Sequence, residues 1–287
     1  MLAIYKKEVK GLLNSMVGFV FMALFLLVTG IYFAAYNLQS AYPKFAYTLS
    51  AVLIVLLVAV PILTMRVLAE EQKQKTDQLL LTAPVTVTEI VVGKFLALMT
   101  IFLIPMLILV FYPLILSQFG TIYFAETYTA MFGFFLMGCS FLAIGLFISS
   151  VTESQIIAAV LTFLVLFVFY LMDGIAGFFP ETASGSFYVL LVIVLIAALV
   201  IYSIIKNALI AAICGIVGEA ALIIAYVTNA SVYEGLIQDI LSVFSISDHF
   251  SEFYSGIFDI TGLVYYVSVI VIALFLTVET IQKRRWG

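Results

Sequence analysis

Long apolar runs separated by short polar stretches are the main feature of this chain. A run of about twenty apolar residues is long enough to cross a membrane as an α-helix. Eight such runs occupy residues 16–36, 45–66, 89–116, 128–150, 155–179, 186–205, 207–227 and 262–282. The pattern therefore predicts an all-α polytopic membrane protein with about eight transmembrane helices.

The composition agrees with this assignment. Of 287 residues, 65% are hydrophobic and 10% are charged, and the mean hydropathy is +1.27. Soluble domains carry roughly 25% charged residues. Cys139 and Cys214 both lie inside apolar runs, which excludes a CxxC metal site and a disulfide framework. The first run lacks a small-residue cleavage site, so we interpret it as a retained span and not as a signal peptide.

Basic residues set the predicted orientation, because cytoplasmic loops carry an excess of Lys and Arg. With the N-terminus in the cytoplasm, eight spans leave only Lys44 outside among the twelve basic residues. Lys206 and Asn207 divide the apolar stretch 186–227 into two spans joined by a tight turn. This division also returns the C-terminal Lys-Arg-Arg to the inside, so we expect both termini to be cytoplasmic.

Residues 1–14 have the pattern of an amphipathic helix. Lysines occupy one face, and the other face is apolar, with Leu2, Tyr5, Val9, Leu12 and Leu13. This pattern fits a helix on the inner membrane surface. The alternative is an ordinary basic flank before the first span.

Residues 231–261 are predicted to form two short amphipathic helices outside the membrane. Their apolar side chains recur at helical spacing. One stripe consists of Val232, Leu236, Ile237, Ile240, Leu241 and Phe244, and the other of Phe250, Phe253, Tyr254, Ile257 and Phe258.

Motifs for covalent chemistry are incomplete. A phosphate-binding loop GxxxxGK[ST] is missing, because Gly93 and Lys94 are followed by Phe95. Glu70 and Glu71 fit part of the EExxxR motif of intramembrane CAAX-processing proteases, but such enzymes also need histidines. The single histidine, His249, is predicted on the opposite side of the membrane, and we interpret it as solvated or helix-capping. We therefore predict no catalytic residue, no metal site and no cofactor bound by this chain.

Glu219 is the acidic residue deepest inside a predicted span. A charge at that depth costs about 2.5–3.5 kcal/mol, so the carboxyl should be neutral, paired or hydrated. One interpretation is a proton relay or a substrate contact. The other is a protonated carboxyl bonded to a neighbouring helix near Gly215 and Gly218. A proton-coupled transporter would usually have paired broken helices and several midplane polar groups, and these are not visible.

The longest charged stretch, EEQKQKTDQLLLTAP at residues 70–84, predicts a polar loop between the second and third spans. The second span should continue as a helix into this loop and end before Pro84, because proline disfavours a helical conformation in the preceding residue. Thr86 and Glu89 fit the S/T-x-x-E capping box at the start of the next helix. Three leucines near the tip are suited to docking in a partner's groove or to burial at the membrane interface: Leu79, Leu80 and Leu81.

Two segments carry a resemblance to a known family. RVLAEEQKQKTDQLLLTAPVTVTEIVVGKFLA resembles the cytoplasmic loop of ABC-2-type permeases. SVFSISDHFSEFYSGIFDITGLVYYVSVIVIALFLTVETIQKRRW resembles the C-terminal end of the gliding-motility-associated branch of that family. The resemblance extends more weakly over residues 1–180.

This resemblance implies the permease subunit of a bacterial ABC exporter in the cytoplasmic membrane. Such a subunit pairs with a second permease copy or a paralogue and binds a separate subunit that carries ATP and Mg. Its partners are these proteins and membrane lipid, and not nucleic acid. The loop 67–89 would be the coupling loop, with Glu70, Glu71, Thr76, Leu79, Leu80, Leu81 and Pro84 as its ATPase-coupling residues.

Residues 181–230 depart from the six-span core that the family implies. We interpret them as a helical hairpin inserted into a single membrane domain, 1–287. Two other functions stay open from the sequence. One is a proton-coupled secondary transporter that uses Glu219, and the other is a non-transporting scaffold or sensor coupled to an ATPase.

Overall fold

The computed structural model describes residues 1–76 and 85–286, and the regular elements in these ranges are all helical. The α-helices are α1 Leu2–Leu13, α2 Met16–Tyr32, α3 Ala46–Thr64, α4 Ala69–Lys73, α5 Val87–Leu109, α6 Tyr112–Leu116, α7 Phe124–Val151, α8 Gln155–Ala176, α9 Ala183–Ile205, α10 Ala208–Thr228, α11 Leu236–Phe244, α12 Ile246–Tyr254 and α13 Ile260–Trp286. A π-helix, Phe33–Gln39, continues α2, and a 3-10 helix, Ala230–Tyr233, follows α10.

Seven helices in the described ranges are long and apolar enough to cross a membrane. The number rises to eight if the bent pair Ala212–Thr228 and Ala230–Phe244 counts as one span. The predicted all-α polytopic fold with about eight spans is thereby confirmed. The cytoplasmic position of the termini stays a prediction.

The helices form two compact units. The first contains Met1–Val168 and Ser247–Gly287, and the second contains Phe169–Ile246. One boundary between the units falls within α8, and the other falls at the start of α12.

Aromatic rings from three spans pack together in the core of the first unit. The ring of Phe25 in α2 lies 5.8 Å from that of Phe102 in α5 and 6.2 Å from that of Phe134 in α7, measured between centroids. A Cβ atom at Gly138 would overlap the Phe102 ring, so this glycine lets α7 approach α5 closely. Since lipid is as apolar as these side chains, close van der Waals packing is what favours helix association here.

The first span ends in a π-helical segment that the sequence pattern did not predict. This segment places Asn37 in a buried position, where its Nδ2 donates to the carbonyls of Tyr42 at 2.8 Å and Lys44 at 3.1 Å. Thr48 Oγ1 donates to Asn37 Oδ1 at 2.6 Å. The asparagine thus holds the turn between α2 and α3. The π-helical segment is what brings its side chain to this buried position.

The second span continues towards the loop, as predicted, because the candidate span runs from Ala46 to Lys73. An interruption was not predicted: regular helix ends at Thr64, and residues 65–68 form a turn before α4. The hydroxyl of Ser149 from α7 accepts hydrogen bonds from the N–H groups of Leu68 at 3.2 Å and Ala69 at 3.1 Å. These are the free donors at the start of α4, so a side chain from a distant helix fixes the break.

Helix α1 packs against α5, and the face it uses overlaps the predicted stripe only in part. Ile4 is buried, and its Cγ2 would lie 3.3 Å from a Cβ atom at Gly93. Tyr5 shares a hydrogen bond with Thr100 Oγ1 at 3.0 Å. Leu2 is 66% exposed and lies outside this contact. The face of α1 that becomes buried depends on where α1 contacts α5, and helical periodicity does not reveal that position.

In the second unit, α9 and α10 form a hairpin that turns at Lys206, a residue with a left-handed φ of 54°. Gly215 and Gly218 in α10 face Ala198 and Val194 in α9. At the other end of the hairpin, Phe187 stacks on Tyr226 with ring centroids 4.4 Å apart. Small residues at the contact allow the two backbones to come close.

The second external stripe is shorter than predicted. Helix α12 ends at Tyr254, so Ile257 and Phe258 do not continue its face. Gly256 has φ +82°, its N–H donates to the Phe253 carbonyl, and the N–H of Ile257 donates to the Glu252 carbonyl. This is a Schellman motif, in which a left-handed glycine terminates a helix.

Phe250 and Phe253 lie in the interior of the first unit. Both are buried, with 3% and 0% exposure. The ring of Phe250 is 6.1 Å from that of Phe134, and the ring of Phe253 is 6.4 Å from that of Tyr266. A Cβ atom at Gly133 would overlap Phe253. The stripe therefore anchors α12 on the spans α7 and α13.

Replacing Phe253 by Asp should destabilise the protein strongly. Loss of a buried phenylalanine alone costs about 3–5 kcal/mol, and an unpaired carboxylate in its place adds a desolvation cost. Glu252→Ala, at the exposed neighbouring position, should change stability by no more than about 0.5 kcal/mol. Thermal unfolding of the two purified variants measures the difference. Equal melting temperatures would contradict the anchoring role of Phe253.

Candidate functional site: a buried lysine at the base of the loop 67–89

The site is built around Lys94, about two turns into α5. That helix begins with a complete capping box: the Glu89 N–H donates to Thr86 Oγ1 at 3.2 Å, and the Thr86 N–H donates to Glu89 Oε2 at 3.1 Å. The cap fixes where α5 starts and hence which side Lys94 faces. The Lys94 side chain is 0% exposed.

Three acceptors surround the Lys94 ammonium. Its Nζ lies 2.8 Å from Glu71 Oε1, 3.1 Å from Glu8 Oε1 and 3.1 Å from the carbonyl oxygen of Val67. An ammonium has three N–H donors, so each finds a partner. Breaking a buried ion pair by removing one member costs about 3–5 kcal/mol. We call Glu8, Glu71, Lys94 and the Val67 carbonyl the loop junction.

Lys7 gives the loop junction a second cation at its surface. Its Nζ lies 3.6 Å from Glu8 Oε1 and 3.8 Å from Glu71 Oε1, and its side chain is 65% exposed. Exposed pairs of this kind contribute about 0–1 kcal/mol because water and salt screen them. The buried contacts of Lys94 therefore dominate the energetics of the junction.

Helix α7 also binds α4 and the turn before it through hydrogen bonds. Besides capping α4, Ser149 Oγ donates to the carbonyl of Met65 at 3.3 Å. Gln72 Nε2 donates to the carbonyl of Ser150 at 3.0 Å, and Arg284 of α13 donates to the same carbonyl. Residues 67–73 are thus fixed through polar contacts to α1, α5 and α7, and α13 reaches only the Ser150 carbonyl that Gln72 also binds.

The chain leaves α4 through a second Schellman motif. Lys75 has φ 56°, its N–H donates to the Gln72 carbonyl, and the Thr76 N–H donates to the Glu71 carbonyl at 3.0 Å. Glu70 pairs with Arg66 through two hydrogen bonds of 2.7 and 3.0 Å. Local bonds thus add to the contacts with other helices in ordering the first half of the predicted loop.

The predicted coupling residues have different structural positions. Glu71 belongs to the loop junction, whereas Glu70 faces Arg66 and Thr76 closes the end of α4. Four of the predicted residues lie outside the described residues: Leu79, Leu80, Leu81 and Pro84.

Sequence reasoning missed three residues of this site: Glu8, Lys94 and Ser149. Lys94 had a usable signal, since a lone lysine inside an apolar run requires a buried partner or a route to water. Ser149 is half of a polar pair at the end of an apolar run, which alone does not indicate a cap on another helix. Glu8 has no signal beyond its place between lysines.

Neither Glu219, in the second unit, nor His249 contributes a contact to the loop junction. Glu219 is half-buried on α10, at the flank of the face that meets α9, and no hydrogen bond or ion pair to its carboxyl occurs within the described ranges. The ring of His249 stacks on Tyr265 at 3.8 Å, so it is packed and not simply solvated. Over residues 1–76 and 85–286, no group of three or more His, Cys, Asp or Glu residues is placed to hold a metal ion.

A bundle of apolar spans with polar contacts concentrated at a loop base defines a polytopic membrane protein. Comparison with protein families matches residues 2–284 to the ABC-2 family transporter proteins. The chain belongs to this family, and it is thus a membrane permease subunit of an ABC transporter. In this family the permease is a transport subunit that is not itself catalytic, and it typically pairs with an ATP-binding subunit. No curated protein matches the chain.

Replacing Lys94 by Met should destabilise the loop junction much more than replacing Lys7 by Met. Both changes remove an ammonium and keep an apolar stem of similar length. Lys94→Met leaves two neighbouring carboxylates without their buried cation, and we expect a loss of about 3–5 kcal/mol. Lys7→Met should cost less than about 1 kcal/mol. Unfolding of both variants in the same detergent checks this, and similar stabilities would show that Lys94 is not the central contact.

Proposed function

We propose that the protein is the permease of a bacterial ABC exporter, of the gliding-motility-associated branch. It lies in the cytoplasmic membrane with both termini in the cytoplasm and works as a dimer with a second copy or a paralogue. ATP and Mg bind a separate subunit, and this chain carries no catalytic residue. Binding and hydrolysis of ATP there drive the transport of substrate outward by alternating access.

The loop junction is the observation that carries this proposal. A loop that couples two subunits must be joined rigidly to the spans it moves. Residues 67–76 meet this requirement, since Glu71 and the Val67 carbonyl hold Lys94 of α5, which also binds Glu8 of α1. Displacement of the loop would therefore shift α1 and α5 with it.

The mechanical consequence is a change between two packings of the spans. Packed helices move as discrete bodies, so a pull at one end favours one arrangement over another. ATP binding can shift that equilibrium only by the difference in affinity that it creates between the two states. We infer that the partner's groove holds the leucines of the loop more tightly in one of them.

The number of spans supports the proposed domain organisation. Five candidate spans lie wholly in the first unit, Gln155–Ala176 crosses the unit boundary, and together these six correspond to the core that the family resemblance implies. The span Ala183–Ser203 and the helix Ala212–Thr228 after it account for the inserted hairpin, 181–230. Residues 1–14 serve as the interfacial helix, and 231–261 as the external helices.

Aspartate substitution of the loop leucines tests the coupling role. Leu79→Asp or Leu80→Asp would place a charge in an apolar groove, which should weaken association with the ATP-binding subunit by about a hundredfold or more. On a helix, consecutive residues point 100° apart, so a helical docking segment would place no more than two of the three leucines in one groove, and one of them should tolerate the change. Co-purification and permease-stimulated ATPase activity are the measurements.

Leu79→Met and Leu80→Met are the matched controls, because methionine keeps the side chain apolar and of similar size. Both should retain the complex. If all three aspartate variants, Leu81→Asp included, keep full association and full stimulation, the loop is not the coupling element.

Glu219 separates this function from a proton-coupled transporter. The lack of a described partner for its carboxyl is the observation that favours the rival. We expect Glu219→Gln to keep most of the ATP-driven transport in proteoliposomes, because the amide has nearly the size and shape of the carboxyl and transport driven by ATP needs no proton from this position. Transport that follows a pH gradient without ATP, and that this variant abolishes, would establish the rival. A scaffold or sensor would transport nothing under either condition.

A further inference from the structure

A cavity of about 390 Å³ lies beside the loop junction, between α1, the start of α2 and the segment 66–76. This volume falls within the roughly 300–1,000 Å³ of small-molecule sites. Leu12, Val17 and Leu63 give it an apolar side, while Lys7, Arg66 and three glutamates give it a polar side. An amphipathic ligand would match both.

The charges of the lining are both positive and negative, and they cancel formally when Lys94 behind them is included. Glu8, Glu70 and Glu71 stand against Lys7, Arg66 and Lys94. A simple anion would be repelled by the carboxylates, and a simple cation by the lysine and arginine. A zwitterion that places each of its charges against the opposite one is favoured instead.

Several polar atoms of the residues that line the cavity have no hydrogen-bond partner among the described residues. Lys94 uses Oε1 of Glu8 and of Glu71, and no hydrogen bond reaches Oε2 of either carboxylate within the described part of the chain. Arg66 uses Nε and Nη2 for Glu70, which leaves its Nη1 as a donor. Lys7 is 65% exposed, and within residues 1–76 and 85–286 it makes only the two long contacts given above.

We propose that this cavity binds the phosphoethanolamine headgroup of a membrane phospholipid. The phosphate lies against Lys7 and Arg66 Nη1, and the primary ammonium donates to Oε2 of Glu8 and of Glu71. A quaternary ammonium has no N–H to donate to these oxygens, and a glycerol headgroup has no cation for them. The proposal is independent of ATP-driven export.

The position of the cavity favours a lipid over a free headgroup compound. Val17 and Ser15 line it at the point where the candidate span Met16–Gln39 begins. From there, apolar side chains point outward along the span: Met16 is 82% exposed, Phe19 59% and Leu27 62%. Acyl chains attached to a headgroup in the cavity would lie along this face.

Gly11 offers a direct way to fill the cavity. It lines the cavity, and a Cβ atom added there meets no atom within 4 Å. Gly11→Phe would therefore place its Cβ atom in open space at the wall of the cavity, and we expect its ring to compete with a ligand there. Gly174→Phe is the matched control, because Gly174 is also an exposed helical glycine with nothing within 4 Å, and it lies outside the cavity.

The test is native mass spectrometry of the purified, delipidated chain titrated with POPE, POPC and POPG. We expect one POPE molecule to bind with a Kd at least tenfold lower than that of the other two lipids. Gly11→Phe and Lys7→Glu should each raise the POPE Kd at least tenfold, and Gly174→Phe should leave it unchanged. Circular dichroism checks that each variant is folded. If Gly11→Phe does not fold, Lys7→Glu still tests the site.

Three results would overturn the proposal. Equal binding of the three lipids would mean a nonspecific annular shell. An unchanged POPE Kd in the folded cavity variants would place the lipid elsewhere. Displacement of POPE by free O-phosphoethanolamine at matching concentration would assign the cavity to a soluble compound with the same headgroup chemistry.

Discussion

The burial of the Lys94 ammonium is the constraint on which the loop end of the first unit depends. An isolated ammonium in a dry interior is too costly to persist, so the structure must bring acceptors to all three of its N–H groups. Those acceptors come from α1, from α4 and from the turn before α4. One side chain thus dictates where the N-terminal helix and the start of the loop must lie.

Polar contacts from other helices complete this arrangement. Ser149 of α7 caps α4, and Arg284 of α13 donates to the carbonyl of Ser150. The spans, in contrast, are held mainly by the packing of rings and small residues. This division suits a permease: polar contacts with fixed geometry join the loop to the helices, while apolar packing between helices can shift without leaving charges unpaired.

The two proposals for the loop end use different atoms of the same carboxylates. Coupling depends on Oε1 of Glu8 and Glu71, which hold Lys94, whereas the headgroup site uses Oε2 of both and the exposed Lys7. A lipid bound there would therefore touch the residues that transmit loop movement. Glu219, in the second unit, belongs to neither proposal.

The sequence by itself determined the features that depend on local pattern. Apolar runs defined the spans, the Thr86 and Glu89 spacing matches the capping box in the structure, and Lys206 marks the turn of the hairpin. The family followed from two local segments. All of these rest on hydropathy, helical period or the reach of a side chain to its own backbone, which need no knowledge of distant contacts.

Only the tertiary structure decided which charges and faces meet. Lys94 was visible as a lysine in an apolar run, but its pairing with Glu8 depends on α1 docking against α5. The end of α3 at Thr64 depends on Ser149, and the buried face of α1 on the position of Gly93. Contacts between residues far apart in the chain arise from the packing of whole helices, and no local periodicity specifies which helices become neighbours.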